Sequence, residues 1–281
     1  MILLSAIQAA QILDQFRRAG SAQTSLDLGK TQTEVSLTDD AVQLTADVRL
    51  GLADLRTIAR RDGAIFSVTS EGVQKIIHFS EETRLTYKLR PTPDWPALEI
   101  SGILMHRIMA TTPQSDAQAK IGLLAPIRGA VLETCMGLGY TAILSAATAR
   151  AVTAIEKDDN VLAMARLNPF SQGLFDDPKI TLLSGDAAQL VPGFASASFD
   201  IVNHDPPTLS VAGELYSNAF YEALFRILKP GGTLLHYTGA PGSKSRRVDL
   251  PASVSRRLTG IGFTNLRTDS RTSCLLATRP G

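Results

Sequence analysis

The sequence predicts an α/β protein: a mostly parallel sheet in a larger C-terminal domain, preceded by a small, mainly β N-terminal domain. Three observations carry this. From about residue 114 onward, apolar β-rich runs alternate with helical patterns, which predicts parallel strands covered on both faces. The first hundred residues show instead short runs of alternating apolar and polar residues separated by turn signals. The chain closes with two strand-like runs joined by a short turn, and so short a connection requires an antiparallel pair. A length of 281 residues fits one large domain or two modest ones, and the change of texture puts the boundary at 110/111.

Within the first part, MILLSAIQAAQIL reads as one amphipathic helix. SLDLGKTQTEVSLTDDAVQLTADVRL then alternates in strand fashion, with turns at Gly29-Lys30 and Asp39-Asp40. A short helix is expected over Leu52–Arg60, and strands over Ile65–Thr69, Val73–Phe79 and Arg84–Leu89. Pro91, Pro93 and Pro96 punctuate the chain as a boundary would.

In the second part, strands are expected at Ala130–Leu132, Val152–Ile155, Ile180–Leu183, Ile201–Val202 and Thr233–Tyr237. The clearest helix is Ser217–Leu228, with Phe220, Leu224, Ile227 and Leu228 on one face. Ser217 is a good N-cap, and Lys229-Pro230-Gly231-Gly232 stops the helix. Thr264–Arg267 and Ser273–Ala277 form the closing pair.

Composition narrows the function. A hydrophobic content of 44% and a charged content of 20% suit a globular protein with a substantial core. A net charge of +1 argues against a chain held to nucleic acid by bulk phosphate attraction. The two cysteines, Cys135 and Cys274, cannot build a disulfide framework or a zinc site of their own, so a reducing, cytoplasmic setting is expected. His78 and His106 have no companions at ligand spacing, and no metal is expected. The longest uncharged stretch, 134–149, is too short and too interrupted to span a bilayer, so no membrane role is expected. The opening segment has no basic start and reads as no signal peptide.

Ligands of open parallel sheets bind beyond the carboxyl ends of the strands. Four successive strands here end in an acid or a glycine turn: Glu133 with Gly137 and Gly139, then Glu156, then Gly185-Asp186, then Asp205-Pro206-Pro207. The glycines allow a tight turn and a close ligand approach. Glu156 is placed to accept both hydroxyls of a ribose, Asp186 to accept an exocyclic amine, and Glu133 to attract an ammonium group.

VLETCMGLGY, AIEKDDNVLAMARLNP, LLSGDA, FDIVNHDPP and LKPGGTLLHYTG, in that order, resemble the successive motifs of class I S-adenosylmethionine-dependent methyltransferases over residues 114–281. HDPPTLSVAGELYSNAFYEALFRILKPGG resembles, more narrowly, archaeal-type members related to the spermidine synthases. The resemblance implies a Rossmann-like seven-stranded sheet with an antiparallel last strand and S-adenosyl-L-methionine as cofactor. It implies Glu133, Gly137 and Gly139 around the methionine part, Glu156 on the ribose and Asp186 with Ala187 beside the adenine, with Tyr140, Thr141, Lys157 and Asp205 also binding the cofactor. Two departures stand out. Cys135 replaces the usual first glycine, so the turn must bend at the two later ones, and the leading acid is a glutamate. Cys135 is either a small buried residue or a nucleophile, and the first reading is preferred.

At the fourth strand, Asp205 and the Pro206 carbonyl are candidates to grip an acceptor's N–H groups, with Pro206-Pro207 stiffening the loop and His204 as a candidate base. Thr208 stands where base-methylating members often carry an aromatic, which speaks against a nucleobase amine. Tyr216 is a candidate wall of the acceptor site, as are His236 and Tyr237. The basic residues Lys244, Arg246, Arg247, Arg256 and Arg257 fit either a solvated surface or an acidic partner. The acceptor itself, whether small molecule, RNA or protein, is open, an amine being one that fits, and a homodimer is allowed. Aminopropyl transfer from decarboxylated S-adenosylmethionine is the main alternative; a nicotinamide-dependent dehydrogenase and a non-catalytic nucleoside binder are the others.

Overall fold

A computed structural model describes residues 1–16, 20–239 and 249–281. The chain divides into two compact units, Met1–Gln114 with Arg166–Phe170, and Ser115–Ala165 with Ser171–Gly281.

The first unit contains three small antiparallel sheets. Its elements are β1 (Ile2–Ser5), α1 (Ala6–Gln15), β2 (Ser21–Thr24), β3 (Thr33–Leu37), β4 (Ala41–Thr45), β5 (Val48–Gly51), α2 (Leu52–Ala59), β6 (Ile65–Thr69), β7 (Gly72–Lys75), β8 (Ile77–Ser80), β9 (Leu85–Arg90), β10 (Ala97–Ile100) and β11 (Ile103–Leu104). The sheets run β1-β6-β7, β2-β3-β4-β5 and β11-β10-β9-β8. Leu4, Ile12, Val42, Leu50, Leu55 and Val68 meet in one core.

Three local expectations are corrected here. The opening segment is not one helix. Ile2–Ser5 is a fully buried strand paired with β6, and the helix starts only after Ser5. Ser5 caps that helix in a reciprocal box with Gln8. The run Val73–Phe79 is not one strand, because it crosses at Ile76 from the sheet of β6 to that of β9. Finally, the prolines mark no boundary. They lie between β9 and β10, which pair directly from Arg90↔Ala97; proline has no N–H for a ladder, so it collects in the connection.

The second unit contains α3 (Pro113–Leu124, whose first two residues belong to the first unit), β12 (Ala130–Glu133), α4 (Tyr140–Ala146), β13 (Ala151–Glu156), α5 (Asp159–Leu167, whose last two residues belong to the first unit), α6 (Gly173–Asp176), β14 (Ile180–Ser184), α7 (Ala187–Leu190), β15 (Phe199–His204), α8 (Asn218–Ile227), β16 (Leu228–Tyr237), α9 (Leu250–Ile261), β17 (Thr264–Asp269) and β18 (Cys274–Thr278). Its seven strands are ordered β14-β13-β12-β15-β16-β18-β17. β12 to β16 are mutually parallel and β18 runs antiparallel to both neighbours, the arrangement the sequence predicts. Ser217 caps α8 as expected, accepting from the Phe220 N–H at 3.1 Å. The helix ends at Ile227, and Leu228 already belongs to β16. Phe220, Tyr221, Leu224 and Ile227 enter the core with Val202, Leu234 and Leu258.

The strand order reverses between β12 and β15. Both neighbours of β12 are parallel to it, yet the chain moves outward to β14 on one side and to β16 on the other. Such a switch point opens a crevice beyond the strand ends, where the loops diverge.

Candidate active site

The loop after β12 turns at its two later glycines. Gly137 and Gly139 have φ of +58° and +75°, while Cys135 is not among the residues of positive φ. The two glycines serve different needs. A Cβ on Gly139 would collide with the side chain of Leu174, so this glycine is demanded by packing. A Cβ on Gly137 would meet nothing within 4 Å, so here the backbone itself faces open space.

Glu133, at the tip of β12, is buried. Its Oε2 accepts from Asn203 Nδ2 at 2.7 Å and from Thr141 Oγ1 at 2.9 Å. Its Oε1 is buried with no hydrogen-bond partner among the described residues. Burial pushes its carboxyl up to about 8, against the two hydrogen bonds, which pull it down. Tyr140, the first residue of α4, is buried.

Glu156, at the tip of β13, accepts from the Gly137 N–H at 2.9 Å and from the Asp158 N–H at 3.0 Å. Burial raises its pKa, opposed by these backbone donors. Lys157 reaches Asp186 Oδ2 at 3.1 Å, and Asp186 Oδ1 caps α7 through the Ala188 N–H at 2.8 Å, with Ala187 buried behind it. Hydrogen bonds and ladder pairs thus join the tips of β12, β13, β14 and β15 into one continuous rim: Asn203 to Glu133, Gly137 to Glu156, and Lys157 to Asp186.

Asp205 follows β15. Its Oδ2 accepts from Lys120 Nζ at 2.7 Å, and Lys120 also reaches Asp116 Oδ2 at 3.1 Å. Burial draws the Lys120 pKa down, but Asp205 and then Asp116 outweigh it and hold the ammonium charged. Pro206 is buried and Pro207 exposed, with the Pro207 carbonyl accepting from Tyr216 OH at 2.9 Å. The Tyr216 carbonyl accepts in turn from Arg257 at 2.6 Å. Arg257 therefore has a structural use; Lys244, Arg246 and Arg247 lie outside the described residues.

His204 does not occupy a base's position. It is fully buried, bonded through Nδ1 to Thr134 Oγ1 at 2.7 Å and through Nε2 to the Leu215 carbonyl at 3.1 Å. A carbonyl can only accept, so Nε2 carries the proton and Nδ1 accepts from the threonine. Burial lowers its pKa to about 4. Side chains alternate along a strand, so Asn203, which holds Glu133, and His204, which packs against Phe220 and His236, leave β15 on opposite faces. His236 shares a bond of 3.0 Å with Tyr221 OH and is likewise buried. The Cys135 thiol is raised above the ordinary range, first by burial and then by Glu156, which suits a packing residue and not a nucleophile.

Sequence reasoning missed Lys120, Asp116, Asn203 and Thr134. The i,i+4 spacing of Asp116 and Lys120 was a visible signal for their pairing. Nothing local links Lys120 to Asp205, 85 residues away.

The strand-order switch, the glycine turn and the acid-tipped strands define a nucleoside-binding α/β domain. A family model described as a methyltransferase domain matches residues 131–232. The chain belongs to the family of the uncharacterized protein MJ1233 of Methanocaldococcus jannaschii, to which it is 40% identical over 262 residues, covering 91% of this chain and 88% of that protein. Residues 131–232 thus form a methyltransferase domain, of the class that uses S-adenosylmethionine. Shorter matches join it to polyamine aminopropyltransferase 2 of Streptomyces coelicolor (30% identical, 39% of this chain and 21% of that one) and to putrescine N-methyltransferase 4 of Nicotiana tabacum (32%, 35% and 26%). Among solved structures, a spermidine synthase in complex with the transition-state analogue AdoDATO superposes with a TM-score of 0.55 at 21% identity, over 74% of this chain and 75% of that one. The spermidine synthase of Thermotoga maritima gives 0.52 at 19%, over 76% and 78%. These two likenesses describe the fold. No helix among the described residues is long and apolar enough to cross a membrane.

Proposed function

We propose that this chain transfers the methyl group of S-adenosylmethionine to an acceptor held at Asp205-Pro206-Pro207. The single observation that carries the reading is Glu133: a buried carboxyl group at the switch point with one oxygen that has no hydrogen-bond partner among the described residues. Such an atom is costly unless a cation or donor meets it. The methionine ammonium of the cofactor is a group of that kind. The residues therefore fit the cofactor.

Glu133 would hold the ammonium, and Glu156, stiffened by the Gly137 and Asp158 N–H groups, would take the ribose hydroxyls with its remaining lone pairs. Asp186 and Ala187 would border the adenine. S-adenosylmethionine supplies an electrophilic methyl group on a sulfonium. Asp205 would accept a hydrogen bond from the acceptor and so aim its lone pair, while Pro206 and Pro207 hold that loop in a narrow range of backbone angles. Thr134, bonded through His204 to the Leu215 carbonyl, would keep the two sides in register. Most of the rate then comes from alignment and exclusion of water rather than from proton transfer by His204.

The spermidine synthase fold and the aminopropyltransferase match favour aminopropyl transfer as the second reading. Titration calorimetry with S-adenosylmethionine and with its decarboxylated form separates the two. Tighter binding of the intact cofactor is expected; preference for the decarboxylated one would overturn the proposal. Tritiated cofactor, supplied to cell extract split into RNA, protein and small-molecule fractions, then finds the acceptor. Equal labelling by Asp205→Ala and the parent would remove Asp205 from the site.

A further inference from the structure

Lys120 was not anticipated from the sequence and is the least ordinary residue of the second unit. Its side chain is 8% exposed, and its ammonium lies 2.7 Å from Asp205 Oδ2, 3.1 Å from Asp116 Oδ2 and 4.6 Å from the centre of the Tyr237 ring. An ammonium has three N–H bonds. Two carboxylates accept from it and the Tyr237 ring lies against it, so its charge is directed at groups of the protein. Its effect falls on Asp205, the acid that ends β15. The Asp205 side chain is 29% exposed, and its Oδ1 takes no hydrogen bond among the described residues.

We infer that Lys120 is a specificity-determining residue: by neutralising Asp205, it restricts the acceptor to an uncharged N–H or O–H donor and turns away aliphatic polyamine cations. The inference rests on the reading of Asp205 as the acceptor-side acid and deepens it to a substrate class. The physics has two parts. A polyamine is a polycation near neutral pH, and stripping its water requires carboxylates whose charge is not already spent. An Asp–Lys pair 2.7 Å apart presents a dipole, which attracts a third charge far more weakly than a lone carboxylate does. A nucleophile also needs its lone pair. A free carboxylate favours the protonated, unreactive ammonium, whereas a neutralised one accepts a single hydrogen bond from an amide, a heteroaromatic N–H, a hydroxyl or an uncharged amine and leaves it uncharged. Lys120 is the cation paired with Asp205, so removing its charge should leave that carboxylate open to another cation.

The test is calorimetric titration of putrescine and of spermidine into the full chain, with and without saturating S-adenosylhomocysteine. The parent should bind neither diamine nor triamine measurably. Lys120→Met keeps the apolar stem and removes the charge, and should bind putrescine at least about tenfold more tightly than the weakest binding the titration detects, a change on the order of 1.4 kcal/mol. The gain should vanish in Lys120→Met/Asp205→Asn, and Lys120→Arg should behave as the parent. Circular dichroism and thermal melts confirm that each variant is folded. A folded Lys120→Met with no gain overturns the inference, and so does a parent that already binds putrescine. Should the methionine variant not fold, Lys120→Gln takes its place; should both fail, the parent titration decides alone. Titration of S-adenosylhomocysteine by itself reports on the cofactor reading, so its failure is distinguishable from a failure of the polyamine arm.

Discussion

The carboxylates at the tips of β12 and β15 stand on adjacent strands of one sheet, yet they are treated oppositely. Glu133 is buried with no ion-pair partner among the described residues, and burial pushes its carboxyl up to about 8. Asp205 is partly exposed and has a lysine 2.7 Å away. Folding alone would favour the arrangement around Asp205, since a buried acid without a counter-ion is destabilising. The contrast teaches where the chain leaves charge to be balanced by a ligand. One side of the switch point holds a buried carboxyl oxygen with no partner among the described residues, and on the other the acid is paired with a lysine.

The sharpest way to break the comparison is to remove the buried acid. Glu133→Gln should weaken S-adenosylhomocysteine binding by about 100-fold, the order expected for a charged hydrogen bond in a buried site, as read by titration calorimetry. The two glycines supply the next test. Gly139→Ala forces a side chain into Leu174 at a positive φ and should cost about 3 kcal/mol in urea unfolding. Gly137→Ala meets no neighbour, so it should cost only about 1 kcal/mol of backbone strain while still impairing cofactor binding. On the balanced side, Asp205→Asn should slow methyl transfer by about tenfold and leave S-adenosylhomocysteine affinity within about twofold, because the residue would aim the acceptor only.

The smallest effect is on pH. A carboxyl raised in the folded state binds more protons there than in the unfolded chain, so its contribution to stability is present below the ordinary value of 4.5 and is lost as pH climbs to about 8. His204, lowered to about 4, acts the other way, and its contribution is lost only as pH falls below 6.5. Between pH 6.5 and 8 the melting temperature of the ligand-free protein should therefore decline, and Glu133→Gln should flatten the decline. An unchanged slope would mean that Glu133 is not the group responsible.

Much of the second unit was legible because its signals are local. An apolar run followed by Glu133, Glu156 or Asp205 marks a parallel strand and its tip without knowledge of any partner. The first unit was read less well. Ile2–Ser5 is apolar enough for either helix or strand, and only its pairing with β6 decides. The site divided along the same line. The carboxylates stood out in the sequence, but Lys120 reaches Asp205 from a helix 85 residues earlier, and no pattern joins them. His204 was misjudged for a different reason. It adjoins Asp205 in the chain, but the two-residue repeat of a strand sends it to the opposite face from Asn203 and into the core beside Phe220.

That buried imidazole has a wider consequence. Through Thr134 and Leu215 it fastens the turn after β12 to the segment entering α8, so these two stretches cannot be altered independently. The residues left outside the clasp are 208–211, solvent-exposed and bonded mainly to one another. Substitutions in this short stretch should therefore cost the fold little.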